Sequence, residues 1–506
     1  MKRCERRSLI ASSRGESCES TMGMEGSGEG MHLTLVRIGL KIEDQYTHTP
    51  TYKAGRMGGE RFPEPHQQPS SESPPSESLK WIQSQVIQHH QRFARSIPLI
   101  ASENLVSPLA AEMFSSDLHN RYAEGLPGSR YYEGNADYDP IEEHVENLAK
   151  RLFNAPFADV RPISGTTANI SALFAISAPG NRFMAPELAA GAHISTQRFG
   201  AAGLRGLDTI TYPSIPETMS IDTELAVEMI ARENPDVCYI GQSVYLFPSD
   251  VRELVEAARE IDATIMYDAA HVLGLIAGNR FQDPLQDGVD LVCASTHKTL
   301  PGPQHGIILA NQDRRLENGK MLHRAIRSAV FPGVHSNHHL HNVAALGVSL
   351  AEALEFQRDY AEQMIANAKA LAEGLWSRGM KVFAPDHGFT ESHTILVDVT
   401  EFGGGADVSL RAEACGLVMN KNMLPGDTSA VSPSGIRLGT PELTRLGMGV
   451  DEMDEVALMI HLAAQGERDS QVRERSAELK ERFSNLHYCW NTERGAYDAP
   501  SFSPVI

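Results

Sequence analysis

At roughly 150 residues to a domain, a chain of 506 residues has room for two or three packed units. Its 41% hydrophobic and 22% charged residues are those of an ordinary soluble globular protein. Its 45 Lys and Arg against 65 Asp and Glu, a formal net charge of −20, argue against a general nucleic-acid binder, which needs a basic face. No apolar run approaches the ~18 residues of a membrane helix, so no span and no membrane partner are expected. Cys4, Cys18, Cys238, Cys293, Cys415 and Cys489 are scattered without a Cys-x-x-Cys pair. That pattern speaks against a disulfide framework or a cysteine-type zinc site, and fits reduced thiols in the cytoplasm.

Residues 1–75 are rich in Ser, Gly, Glu and Pro and hold no lasting period apart from the short apolar piece Leu33–Ile42, so they read as a disordered extension. Arg3, Arg6, Arg7 and Arg14 invite a transit-peptide reading, against which Glu5, Glu16 and Glu19 speak. From Ser76 a helical stripe of Leu79, Ile82, Val86 and Phe93 begins, with Ser76 and Ser78 as candidate N-caps. Pro140 opens a second helix carrying Ile141, Val145, Leu148 and Leu152. Between about 155 and 310, short β-branched runs alternate with helical stretches. Val237–Gly241, Thr264–Tyr267 and Leu291–Ala294 are the clearest strands, with Val251–Ile261 an intervening helix. That alternation predicts parallel pairing in an α/β sheet. A long helix over Val343–Gly374 follows; after it, strands such as Thr394–Val399 and a last helix at Val450–Ala464 read as a smaller domain, and the tail from about 485 has no readable pattern.

Cys-Ala-Ser-Thr-His-Lys-Thr-Leu at 293–300 runs an apolar strand into a polar turn presenting Thr296, His297 and Lys298. A lysine at the end of a buried strand is costly unless its charge is paired or its amine is used, and desolvated lysines suit Schiff-base chemistry. Asp268 ends another apolar strand, with His271 three residues on. A carboxylate there suits the ring nitrogen of pyridoxal phosphate, and both groups fall at the carboxyl edge of a parallel sheet. Ser-Gly-Thr-Thr-Ala-Asn at 164–169 precedes a helix and offers hydroxyls and free N–H groups to a phosphate. His193 can place an imidazole over the cofactor ring. Arg437, in Ser-Gly-Ile-Arg-Leu-Gly-Thr-Pro at 434–441, matches a substrate carboxylate in bidentate fashion, although an isolated arginine is more often in a structural ion pair.

In this order the pieces resemble the serine hydroxymethyltransferase family, fold-type I enzymes of pyridoxal phosphate, from about Ile97 to Ala464. The resemblance is most specific at Leu-Ile-Ala-Ser-Glu-Asn (99–104), Asn-Arg-Tyr-Ala-Glu-Gly-Leu-Pro-Gly-Ser-Arg-Tyr-Tyr-Glu-Gly (120–134), Thr-His-Lys-Thr-Leu-Pro-Gly-Pro (296–303) and Ala-Val-Phe-Pro-Gly (329–333). It implies a large domain (111–355) with a mostly parallel seven-stranded sheet, an N-terminal arm (76–110), a smaller C-terminal α/β domain (356–468) and a C-terminal helix and tail (469–506). It also implies a homodimer, with the pairing of two dimers left open. By resemblance, Lys298 is the Schiff-base lysine, Asp268 the pyridinium partner and His193 the stacking ring. Ser164, Gly165 and Thr166 bind phosphate, and Ser243, His271 and His297 lie about the cofactor. Arg437 and Ser102 hold the substrate carboxylate, and Thr296 belongs to the catalytic turn. Tyr122, Glu124 and Tyr132 match positions contributed across the dimer interface, Glu124 carrying the proton of the substrate hydroxyl. Leu188, Ile194 and Asn422 match contacts to tetrahydrofolate.

Two segments depart from the family pattern. Gln304–His305 replace Arg–Gly after the Gly-Pro, and Phe-Pro-Gly-Val-His-Ser-Asn-His (331–338) replaces Phe-Pro-Gly-x-Gln-Gly-Gly-Pro. Ser336 and Asn337 stand where two glycines let the partner's backbone approach the phosphate; their side chains are expected to take over that contact as donors. His335, His338, His339 and His341 lack a clean ligand spacing, so no metal is expected. The reading is transfer of a hydroxymethyl group between serine and glycine with tetrahydrofolate. The alternative is a folate-independent threonine aldolase or transaldolase of the same family. A catalytically inactive scaffold is a remote third reading, against which the presence of Lys298 and Asp268 speaks.

Overall fold

The computed structural model describes residues 68–502 apart from 313, 317 and 499. The expectations for the Arg-rich opening and for Leu33–Ile42 lie outside those residues.

Seven strands form the main sheet: β1 (Phe157–Asp159), β2 (Arg182–Ala185), β3 (Asp208–Thr211), β4 (Val237–Ile240), β5 (Thr264–Asp268), β6 (Leu291–Ser295) and β7 (Gly306–Ala310), in the order β1-β7-β6-β5-β4-β2-β3. Only β7 runs against the others, pairing antiparallel with both β6 and β1. The central strands are buried along their whole length because both faces are covered, which explains their near-continuous apolar sequences. Successive residues still part to opposite faces. Cys238, Ile240, Ile265, Tyr267, Val292 and Ala294 enter one core, while Val237, Tyr239, Met266, Leu291 and Cys293 enter the other.

The 38-residue helix Leu340–Ser377 carries the chain from one core to the next. Its first two thirds, through Val343, Leu346, Leu350, Tyr360 and Met364, pack under the main sheet. Its remaining turns, from Ala368 through Leu371 to Leu375, join a separate core with Ile97, Leu99 and the helix Val450–Gln465. The expected division at 355/356 falls inside this helix. A four-stranded antiparallel sheet follows, made of β8 (Lys381–Val382), β9 (Thr394–Asp398), β10 (Asn420–Asn422) and β11 (Gly435–Gly439) in the order β8-β9-β11-β10. Ile97–Pro98 pairs in parallel with Leu417–Val418, which ties the N-terminal arm to this region.

The helix at Pro75–Phe93 starts on Pro75 behind Pro74, without a side-chain cap, rather than on Ser76 or Ser78. Proline's fixed φ suits a first turn, where its missing N–H is not needed. No residue of that helix is buried, and Leu79, Ile82 and Val86 of its apolar stripe are exposed. Among the described residues no helix is long and apolar enough to cross a membrane, and Cys238, Cys293, Cys415 and Cys489 are buried free thiols.

The turn after β6 is locked from three directions. Asn104 Nδ2 donates to the Lys298 carbonyl at 2.6 Å, and Gln357 Nε2 donates to the Thr299 carbonyl at 3.2 Å. The Gly274 N–H donates to Thr299 Oγ1 at 3.0 Å. A Cβ at Gly274 would lie 2.2 Å from the Thr299 carbonyl group, so the helix Leu273–Ala277 can approach only as glycine. Gly274→Ala is therefore expected to destabilise the protein by about 1–3 kcal/mol in urea unfolding, the range for overpacking a tight core site. An unchanged midpoint would show that the turn gives way freely.

Candidate active site

The carboxyl ends of β4, β5 and β6 meet the start of the helix Gly165–Ile176 around a cavity of about 200 Å³. Ser164 is that helix's N-cap: the Thr167 N–H donates to Ser164 Oγ at 3.1 Å, and the Ser164 N–H donates to Thr167 Oγ1 at 2.8 Å. The N–H groups of Gly165 and Thr166 in the first turn have no backbone acceptor among the described residues and stand free for an anion. A Cβ on Gly165 would meet Ser295 Oγ at 2.2 Å, so this approach of helix to β6 requires glycine.

Asp268, at the end of β5, is buried and closely held. Asn169 Nδ2 and the Tyr239 hydroxyl each donate to its Oδ2 at 2.7 Å, and the Ala270 N–H donates to Oδ1 at 2.8 Å. An ionised carboxylate offers about four acceptor sites, so one remains for a donor in the cavity. Gly241, just past β4, makes room for this aspartate, since a Cβ there would lie 2.6 Å from the Asp268 Cβ.

Lys298 lines the same cavity and is 9% exposed. Among the described residues no hydrogen bond or ion pair holds its amine. Burial pushes the amine down to about 8, with Asp268 opposing and Arg437 reinforcing the shift. His193, Ser243, His271 and His297 complete the wall. His193 Nδ1 accepts from the Ser195 N–H at 3.2 Å, which leaves Nε2 to carry the ring proton. Burial drives His297 down to about 4 and His271 well below the ordinary range, so both are neutral, each with a buried Nδ1 that has no partner.

Arg437 lies in the middle of β11, donating from Nε to Asn420 Oδ1 at 3.1 Å and from Nη1 to the Ser243 carbonyl at 2.8 Å. Among the described residues no carboxylate lies within ion-pair reach of it, so the structural ion pair that an isolated arginine suggests is not what holds it here. Burial lowers the guanidinium to about 10. A buried cation without a counter-anion is costly, and Nη2 remains available to an anionic ligand.

Not every predicted residue lines this cavity, and Arg437 is not in its wall. Thr296 is buried and donates its hydroxyl to the Pro303 carbonyl at 2.8 Å. Ser102 lies half-buried in the turn before Asn104. Leu188 and Ile194 sit on short turns, Ile194 exposed, and Asn422 ends β10. A second cavity of about 200 Å³ opens beside Leu188, between Glu187, Ala189, Met219 and Pro425. Tyr122, Glu124 and Tyr132 form a separate group, the two tyrosine rings 5.4 Å apart and their backbones tied by Asn135. Ser336 and Asn337 join that group: the Ser336 hydroxyl donates to Glu124 Oε1, the Ala123 N–H donates to Asn337 Oδ1 at 2.9 Å, and Asn337 Nδ2 donates to the Arg121 carbonyl at 3.0 Å. His305, of the other departing pair, is wholly buried and donates Nε2–H to the Val160 carbonyl at 2.7 Å.

Sequence reasoning did not single out Asn169, Tyr239, Gln242 or Asn104. Asn169 and Asn104 both stood inside quoted motifs, and only their long-range partners reveal what they do.

A family model described as serine hydroxymethyltransferase matches residues 77–460. A serine hydroxymethyltransferase of Picrophilus torridus is 49% identical over 413 residues, covering 81% of this chain and 94% of the relative. That of Thermoplasma acidophilum is 48% identical over 433 residues, covering 85% and 99%, and that of Methanopyrus kandleri 46% over 418 residues, covering 82% and 96%. With this match laid over the sheet-end cavity, the chain belongs to the serine hydroxymethyltransferase family.

Proposed function

We propose that this protein is a pyridoxal phosphate enzyme that moves a hydroxymethyl group between serine and glycine, with tetrahydrofolate as the one-carbon carrier. The observation that carries the reading is the placement of Lys298, desolvated and without a bonded partner, in one cavity with Asp268 and the free N–H groups of Gly165 and Thr166. These residues fit the cofactor at both ends. The helix start suits its phosphate, and the one open acceptor site on Asp268 suits its protonated ring nitrogen.

When bound, the cofactor ring would accept the electron pair released as the Cα–Cβ bond of the amino acid breaks. The chain's own residues do the rest. Lys298 is the covalent anchor, and its lowered amine supplies the neutral form near physiological pH. Asp268 keeps the ring nitrogen protonated. His193 would pack against the cofactor's ring, and neutral His271 and His297 line the same cavity without adding charge. Arg437, with Ser102, grips the substrate carboxylate through the guanidinium edge that no protein carboxylate occupies. Glu124 takes and returns the proton of the substrate hydroxyl. Tetrahydrofolate would lie against Leu188, Ile194 and Asn422. A homodimer brings Tyr122, Glu124 and Tyr132 of one subunit to the cavity of the other, and the buried, unpaired thiols fit a cytoplasmic location.

Steady-state cleavage of serine with and without tetrahydrofolate tests the assignment. Strong stimulation by the carrier is expected. Turnover of threonine without it, and none of serine with it, would overturn the assignment.

The protonation of Lys298 gives a pH prediction. The neutral amine is the nucleophile, and its value of about 8 instead of 10.5 makes that form available more than two units lower. For cofactor-free protein, the rate of capture of pyridoxal phosphate should rise about tenfold per pH unit below that point and level off above it. A rate still climbing steeply toward the ordinary lysine range, followed by stopped-flow absorbance, would show that the cavity does not depress the amine.

A further inference from the structure

We infer that Ser336, seated by Asn337 and His338, is a positioning residue that holds the carboxylate of Glu124 in its working orientation; this rests on the proton-carrying role proposed for Glu124.

The backbone on either side of Glu124 is fixed by other groups. Asn337 accepts from the Ala123 N–H and donates to the Arg121 carbonyl. Arg130 Nη1 donates to the Ala123 carbonyl at 2.7 Å and to the Gly125 carbonyl at 3.1 Å. Arg130 is itself held by Asp139 and by the buried Glu142 at 2.8 Å each. His338 Nε2 lies 2.9 Å from Glu142 Oε2 and 2.8 Å from the Tyr138 hydroxyl, so the rim segment is anchored to the same buried network. These contacts place the Glu124 backbone and leave its side chain free to turn. The Ser336 hydroxyl is the one hydrogen-bond donor to the Glu124 carboxylate among the described residues.

A glycine at 336 has no side-chain donor, so a chain with glycine there must orient this carboxylate by other means. Here the hydroxyl binds Oε1 and leaves Oε2 for the substrate hydroxyl. Both amide atoms of Asn337 are engaged on the 121–123 backbone, so Ser336 and Asn337 act as a clamp on this segment. A group that fixes the orientation of a proton carrier acts on the rate of the chemical step more than on the binding of the ground state.

The test uses the holoenzyme, with serine and tetrahydrofolate as substrates and the cofactor's visible absorbance as a second readout. Glu124→Gln should lose a hundredfold or more in kcat, on the order expected for removing a general acid–base group. Ser336→Ala should lower kcat about threefold to tenfold, the scale of one ordinary, solvent-exposed hydrogen bond, with KM for serine within about twofold and the absorbance retained. Ser336→Thr, which restores a hydroxyl, should recover most of the lost kcat. Undiminished turnover in Glu124→Gln would overturn the role of Glu124 and the positioning role with it. If Glu124→Gln is impaired but Ser336→Ala is not, the positioning role alone falls. If Ser336→Ala instead releases the cofactor, or Ser336→Thr fails to recover kcat, the hydroxyl serves the phosphate or the fold and the inference is overturned.

Discussion

The charge balance of one cavity governs this molecule. Two cations, Lys298 in the cavity wall and Arg437 bonded behind it to the Ser243 carbonyl, are almost wholly withdrawn from water, and one carboxylate, Asp268, acts on the lysine. Burial keeps His271 and His297 neutral, so they cannot alter the balance. In a chain of formal net charge −20 the site is therefore locally positive. Desolvating a charge costs several kcal/mol if nothing answers it, so such an arrangement persists where anionic groups complete it. On the proposed function, a phosphate at the helix start and a substrate carboxylate at Arg437 would be those anions.

The rest of the fold keeps these groups in place. The parallel sheet delivers Asp268 and Lys298 to the same edge because β5 and β6 run side by side in register, Asp268 opposite Cys293. Glycines at 165, 241 and 274 allow the helix start, the end of β4 and the following helix to close around that edge. The small sheet contributes Arg437 from β11, and the helix Leu340–Ser377 packs into both cores. Functional groups thus sit on rigid elements, with the polar side chains that hold them drawn from elsewhere in the sequence.

Much of this was legible in the sequence because the signals are local. An apolar strand ending in Asp268, another ending in Thr-His-Lys, and a Ser-Gly-Thr-Thr helix start each mark a position at the sheet edge within a few residues, and the positions that line the cavity are largely those. The supporting contacts were not legible, because they join distant segments: Tyr239 reaches Asp268 across 29 residues, Asn169 across 99, and Asn104 reaches Lys298 across 194. Periodicity located the helix of Leu79, Ile82 and Val86, but it does not tell whether such a stripe is covered, and these three residues are exposed. At Ser336–Asn337 the glycines of the family pattern suggest a contact to the partner subunit's phosphate and say nothing of contacts within the chain. In this chain the side chains bind the Arg121–Glu124 segment 212 to 216 residues away.

The central claim is that Lys298 is the amine for which this cavity is built. Borohydride reduction of the holoenzyme, followed by proteolysis and peptide mass mapping, tests it most directly, because reduction makes the cofactor's bond to its lysine permanent. The account predicts the label on the peptide spanning Leu291 to Leu300, at Lys298. A label on any other lysine, or none on a protein that retains its cofactor, would contradict it.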